Sequence, residues 1–153
     1  MAVVGLARST STPASSAEAR TLNFATATGS NNAGPTTPLM LRLMTAMGAD
    51  DNTAGTELTN AGGATYAAQS LASKLAVAAW DGTLGKTKVT NNAVVRFDNL
   101  PTVTSPTAIV GVEVWDSAGT PIRWWAGTLV TARNPVPGDS LEFAVSALVF
   151  TMD

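Results

Sequence analysis

The stretch IVGVEVWDSAGTPIRWWA, residues 109–126, has the pattern of two β-strands joined by a tight loop. Valines alternate with other residue types up to Trp115, and the alternation resumes from Ile122. A period of two puts successive side chains on opposite faces of a strand. The intervening residues 117–121, SAGTP, are typical turn residues. We therefore predict a β-hairpin here.

Shorter segments with the same period recur along residues 38–153, separated by Gly-, Pro-, Asn- and Asp-rich turns. In one of them Leu141, Phe143 and Val145 are predicted to share a face, and the phase slips near residues 146–147, which indicates a bulge or bend. Five or more such strands predict an all-β fold, an antiparallel β-sandwich or jelly-roll-like single domain.

The secondary structure of residues 64–80 is ambiguous from the sequence. Alanine and leucine recur there at helical spacing, and alanine is the best helix former. The short strands and turns on both sides favour a strand instead. We assign residues 66–71 to a strand and keep the helix as the alternative.

Residues 1–37 differ in composition from the rest of the chain. From Ser9 to Pro38 the sequence is rich in Ser, Thr, Ala, Asn and Gly, and Leu22 and Phe24 are its large apolar residues. This segment has too little apolar surface to offset its ordering entropy alone. We predict an extended N-terminal arm that docks on neighbouring subunits, with Leu22 and Phe24 in the interface. The alternative is an edge strand on its own domain.

Composition excludes several classes of function. The chain has 153 residues, a net charge of −2, and 13% charged residues, against about 25% in a typical soluble domain. Neither nucleic acid nor a membrane is an expected partner. Without Cys or His, thiol chemistry and the commonest general base and metal ligand are missing. A low-charge surface of this kind suits packing against neighbours.

Acidic residues are the remaining candidates for chemistry. A calcium site from oxygen ligands and a carboxylate pair for glycoside cleavage are conceivable. The calcium candidates are Asp50, Asp51, Asn52 and Glu57, and the carboxylate candidates are Glu113, Asp116, Asp139 and Glu142. We interpret the first group as a solvated acidic turn and the second as solvated strand residues. We therefore expect no metal, no cofactor and no enzymatic activity.

Four tryptophans are candidates for contact with a partner. Neighbours in a strand point to opposite faces, so one of Trp124 and Trp125 should lie in the core and the other on the second face. Tryptophan is enriched at interface hot spots. We predict subunit contacts for Trp115 and Trp125. An aromatic platform for a glycan, which Trp80 could join, is the alternative.

The order of several short motifs resembles a family of small phage virion proteins, described as tail-fibre-like or head-decoration proteins. These motifs are LMLRL (39–43), DD (50–51), TE (56–57), GGATYA (62–67), NNAVVRF (91–97), IVGVEVWDSAG (109–119), VPGDSLEF (136–143) and ALVFTMD (147–153). The resemblance implies a β-sandwich displayed on a virion, without catalysis.

On this resemblance we predict a capsid decoration protein, made in the host cytoplasm and placed on the outer surface of the phage particle. It would oligomerise, as a homotrimer, and bind the major capsid protein and copies of itself. The resemblance does not distinguish head from tail, so a tail or tail-fibre component is the first alternative. A carbohydrate-binding module is the alternative from another class.

Overall fold

The structure, a computed structural model, describes residues 7–8, 34–49, 53–61, 64–101 and 108–151. In these residues the regular secondary structure is β-strand, without a helix, which confirms the all-β prediction. No segment there forms a helix long and apolar enough to cross a bilayer. The strands are β1 (Ala7–Arg8), β2 (Met40–Ala46), β3 (Thr56–Glu57), β4 (Gln69–Ser70), β5 (Ala79–Asp81), β6 (Lys86–Thr90), β7 (Val95–Leu100), β8 (Ile109–Trp115), β9 (Arg123–Arg133), β10 (Asp139–Phe143) and β11 (Val149–Thr151).

The predicted hairpin of β8 and β9 is confirmed and lies inside the largest sheet. The strand order of that sheet is β1-β9-β8-β2-β3, and β4 also pairs with β2. Asp116 closes the hairpin loop: its buried carboxylate accepts hydrogen bonds from Ile122 N at 2.8 Å and from Trp124 Nε1 at 3.2 Å. A side chain that caps its own turn in this way fixes the register of the two strands.

Two smaller antiparallel sheets, β7–β10 and β5–β6–β11, share one hydrophobic core with the large sheet. Leu41, Leu43 and Val114 of the large sheet and Phe97 and Phe143 of the β7–β10 sheet are buried together. The alternation of apolar residues in each strand therefore directs one face of each sheet into the same interior.

Residues 64–80 contain no helix, and the predicted strand is confirmed in part, as β4. The backbone of this segment bonds to neighbouring strands: Leu71 N donates to Leu39 O, and Ala76 N donates to Thr90 O, both at 2.8 Å. Ser73 has a φ of 56°, which ends any helical path. Sheet pairing has overridden the local helical propensity of alanine.

The bend predicted near residues 146–147 is present, between β10 and β11. Ser146 has a φ of 64°, and buried Asn91 bonds through its side chain to Ala144 O at 2.7 Å and Leu148 N at 2.8 Å. Because β10 ends at Phe143, Val145 does not share the buried face of that strand and is 54% exposed. The predicted common face of Leu141, Phe143 and Val145 is therefore wrong at its last residue.

Two described parts of the predicted arm contact the chain's own domain. Ala7 and Arg8 pair with Ala126 and Trp125 as an edge strand. Thr36 O accepts hydrogen bonds from the backbone N and the Oγ of Ser117. These contacts correspond to the edge-strand alternative. Leu22 and Phe24 lie outside the described residues, and docking of the arm on neighbouring subunits stays a prediction.

Candidate functional site

A buried ion pair lies on the side of the large sheet that faces away from the hydrophobic core. Arg123 Nη1 donates to Glu113 Oε1 at 2.9 Å, and the two side chains are 1% and 0% exposed. Two charges removed from water need close pairing and further hydrogen bonds to offset their desolvation. The structure supplies both.

The described residues on either side of the β2–β3 connection, 47–49 and 53–55, cover this pair with their backbone. Glu113 Oε1 also accepts hydrogen bonds from Gly48 N and Gly55 N, each at 3.2 Å. Arg123 donates to Thr53 O at 3.0 Å and to Ala49 O. A Cβ atom at Gly48 would collide with Thr53 O and with the Arg123 guanidinium. Glycine is therefore required at Gly48 for the backbone to approach the charges.

The polar contacts continue along the same face toward β3. Trp115 Nε1 donates to Glu113 Oε2 at 2.9 Å, and the Arg42 guanidinium carbon lies 5.0 Å from the centroid of the Trp115 ring. Arg42 Nη1 in turn binds Glu57 Oε2 at 3.1 Å, and Tyr66 Oη donates to Glu57 Oε1 at 3.0 Å. Burial raises the pKa of the Tyr66 hydroxyl above its ordinary value, so it stays a donor near neutral pH.

We call these side chains, of which Arg42 and Glu57 are half-buried, together with the covering backbone of residues 47–49 and 53–55, the buried polar network. Its side chains are Arg42, Glu57, Tyr66, Glu113, Trp115 and Arg123. The calcium candidate Glu57 is part of this network, where it binds Arg42 and Tyr66. The other calcium candidates, Asp50, Asp51 and Asn52, lie outside the described residues. In the part of the chain that the structure describes, no group of three or more Asp or Glu side chains is arranged to hold a metal ion.

The sequence interpretation of the acidic strand residues was wrong for Glu113 and Asp116, which are 0% and 1% exposed. Glu113 is covered by the backbone at Gly48 and Gly55, and Asp116 accepts hydrogen bonds within its own hairpin loop. Strand alternation reveals neither arrangement. The interpretation is correct for Glu142 and Asp139, which are exposed. Glu142 Oε2 lies 3.8 Å from Arg96 Nη1. Asp139 accepts a hydrogen bond from Val136 N within its own turn.

The four tryptophans occupy different environments. Trp124 is buried beside Ile122, and Trp125 is half-buried, with its ring centroid 5.7 Å from that of Phe150. Trp115 is 9% exposed within the polar network, whereas Trp80 is 69% exposed. Subunit contacts for Trp115 and Trp125 remain predictions.

The most exposed tryptophan lies in the β5–β6 hairpin. Val77, just before the hairpin, and Trp80 and Leu84 within it are 91%, 69% and 51% exposed, and we call these three exposed apolar residues the hairpin patch. Asp81 holds the turn between the strands by accepting hydrogen bonds from the backbone N atoms of Thr83 and Leu84 and from Lys88 Nζ. The hydrogen bond from Lys88 is the main reason that the pKa of Asp81 is lowered.

A small apolar cavity of about 140 Å³ lies behind the hairpin. Leu75, Ala78, Val89, Trp125 and Phe150 contribute to its wall. The exposure of the hairpin patch was not predicted from the sequence, because Trp80 follows an alanine-rich stretch without clear strand periodicity. The turn sequence Asp81-Gly82-Thr83 beside an aromatic residue was the available signal.

The described residues thus define an all-β protein whose buried charges bond within its own fold and whose apolar residues are partly exposed on the surface. Residues 13–151 match the family described as Podophage GP4 fiber I protein gp80. The match leaves out twelve residues at the start and two at the end, and the chain belongs to this family of small phage virion proteins. The resemblance noted in the sequence is therefore confirmed. Searches of curated proteins and of solved structures gave no significant match.

Proposed function

We propose that this chain is a structural subunit of a phage fibre and acts through protein–protein contacts, without catalysis. The observation that carries the proposal is the family match over residues 13–151, because that family is described by a fibre protein. The capsid decoration role that was predicted from the sequence would also place the chain on the virion, but it requires attachment to the head and not to a fibre. The family description favours the fibre.

The buried polar network supports a mechanical role. It joins β8 and β9 to the backbone of residues 48, 49, 53 and 55 through the Arg123–Glu113 ion pair and its hydrogen bonds, and it joins β2 to β3 through the Arg42–Glu57 ion pair. Breaking such a network leaves uncompensated buried charges, which makes local opening costly. A subunit that transmits force along a fibre benefits from this resistance. The acids that could have served catalysis, Glu113 and Asp116, are engaged in these internal contacts and in the hairpin loop.

The proposed partners are copies of the chain itself and neighbouring virion proteins. A surface with few charges imposes little electrostatic repulsion between subunits and leaves apolar area available for burial. Docking of the N-terminal arm on a neighbour would add backbone hydrogen bonds to that contact. In the decoration alternative the neighbour is the major capsid protein, and the homotrimer predicted from the sequence belongs to either arrangement.

The location on the particle tests the proposal directly. Antibodies against the purified chain, coupled to gold, are applied to intact phage particles and imaged by electron microscopy. We expect label on the fibres and none on the shell of the head. Label spread over the head shell would replace the fibre role by decoration. Absence of the chain from purified particles, measured by mass spectrometry, would overturn both.

A further inference from the structure

We propose that two copies of this chain associate through the hairpin patch, with β5 of one copy pairing antiparallel with β5 of the other about a two-fold axis at Trp80. The proposal deepens the fibre role by naming a surface and its partner. It rests on the fibre role only for its biological purpose, because the contact itself is tested in purified protein.

The free edge of β5 supplies the first argument. β5 pairs with β6 on one side, and no strand in the described part of the chain pairs with its other side. The same edge continues upstream, because Ala76 N bonds to Thr90 O and Leu75 bridges to Asn91. An unpaired strand edge beside exposed apolar side chains is a template for another strand.

The register of the small sheet supplies the second argument. Trp80 lies opposite Thr87, and Val89 lies opposite Phe150, so these four side chains share one face. Trp80 is 69% exposed because the sheet ends at β5 on that side. A two-fold axis at Trp80 would place the two indoles side by side, about 5 Å apart at Cβ, on the face of the sheet that also carries Val89 and Phe150.

The charges on the opposite face are complementary in this arrangement. Ala79, Asp81, Lys86 and Lys88 share that face, and Lys88 lies opposite Ala79. About the two-fold axis, Asp81 of each copy comes opposite the partner copy's Ala79, with the partner copy's Lys88 next in the row. No like charges face each other directly, and Asp81 of each copy approaches Lys88 of the partner copy. A second copy therefore fits the edge electrostatically.

The size of the patch determines how strong the contact is. At 69% exposure, Trp80 has on the order of 150 Å² to bury, whereas a standard interface buries about 800 Å² per partner. Val77 and Leu84 add to this area without reaching that size. The patch is thus the centre of a weak contact between free copies, which tethering in an assembly strengthens by raising the effective concentration.

Sedimentation velocity of the full chain over a concentration series tests the proposal. We expect a reversible dimer, and Trp80→Ala should weaken it by about tenfold or more. Ala79→Asp should weaken it as well, since it sets the new acid opposite the partner copy's Asp81 while it pairs with Lys88 within its own copy. The matched control is Val136→Ala, because Val136 is 57% exposed in the turn before β10, outside the patch, and this change should leave the dimer unaltered.

Several results would overturn this inference. One is a chain that stays monomeric at every concentration, and another is a dimer or trimer that both Trp80→Ala and Ala79→Asp leave unchanged. Binding at the patch only after another virion protein is added would also contradict a second copy as the occupant. None of these results bears on gold labelling of the fibres, so the two proposals fail separately.

Discussion

The outer face of the β2–β8–β9 sheet and the outer edge of the β5–β6 hairpin reverse the usual distribution of residues. The first buries Arg123 and Glu113 almost completely, while the second leaves Val77 and Trp80 largely exposed. From residue type and strand periodicity alone, Arg123 and Glu113 would be expected to be exposed, and Val77 and Trp80 to be buried. The difference is the cover: the backbone of residues 47–49 and 53–55 packs on the polar face, and no described strand lies on the hairpin edge. Burial is therefore decided by what packs on a strand and not by its residue types.

Removing one partner of the buried pair should have the largest effect. Glu113→Ala leaves the Arg123 guanidinium buried without its carboxylate and should lower the free energy of unfolding by about 3–5 kcal/mol. Urea denaturation followed by circular dichroism measures this loss. The control is Glu142→Ala, an exposed acid that should cost less than about 0.5 kcal/mol. Equal losses in the two variants would show that the network is not a special source of stability.

Displacing the cover should have the next largest effect. A Cβ atom at Gly48 collides with Thr53 O and the Arg123 guanidinium, so Gly48→Ala should destabilise the fold by about 1–3 kcal/mol. Gly119→Ala is the matched control, because a Cβ there has no neighbour within 4 Å. Thermal unfolding compares the two. A Gly48→Ala variant as stable as the control would contradict the close approach of the Gly48 backbone to the charges.

Removing the arm separates docking from folding. Deleting residues 2–36 takes away the two-residue strand β1, and we expect the domain to lose about 1 kcal/mol or less and remain folded. Its incorporation into particles should fall severalfold if the arm docks on neighbouring subunits. Quantitative mass spectrometry of purified particles measures the occupancy. Unchanged occupancy would mean that the arm serves its own domain, as an edge strand.

The hairpin patch should contribute little to the stability of a single chain. Trp80→Thr replaces an exposed ring by a good strand former, and the free energy of unfolding should change by no more than about 0.5 kcal/mol. Dilute-solution denaturation, where self-association is negligible, isolates this effect. A loss above 2 kcal/mol would reveal that the ring packs on its own chain.

The smallest effect concerns pH at the hairpin turn. The folded pKa of Asp81 lies below its ordinary value of 3.8, mainly because of the Lys88 hydrogen bond. A depressed folded pKa means that this stabilisation is present above the ordinary value and is lost as pH falls through the folded pKa. The protection factors of the β5 and β6 amides against hydrogen exchange should therefore fall slightly more below about pH 4 in the wild type than in Asp81→Asn. Identical pH profiles in the two proteins would show that the Asp81–Lys88 ion pair does not stabilise the turn.

The alternating valines of β8 and the Gly–Pro loop after Asp116 determine by themselves that this chain forms an antiparallel hairpin in an all-β fold. Side-chain period and turn chemistry are local properties and can be read from neighbouring residues. The family resemblance was also available in the motif order, since it depends on residue types and not on contacts.

The environment of each face was decided by the tertiary structure alone. Glu113 has the sequence pattern of a solvated acid, and alanine favours a helix locally in residues 64–80, but in both places distant segments bond to the chain. The partners of Glu113 at Gly48 and Gly55 lie 65 and 58 residues away in the chain. Such long-range contacts set burial, and burial determines whether a charge becomes part of the fold or a tryptophan stays on the surface.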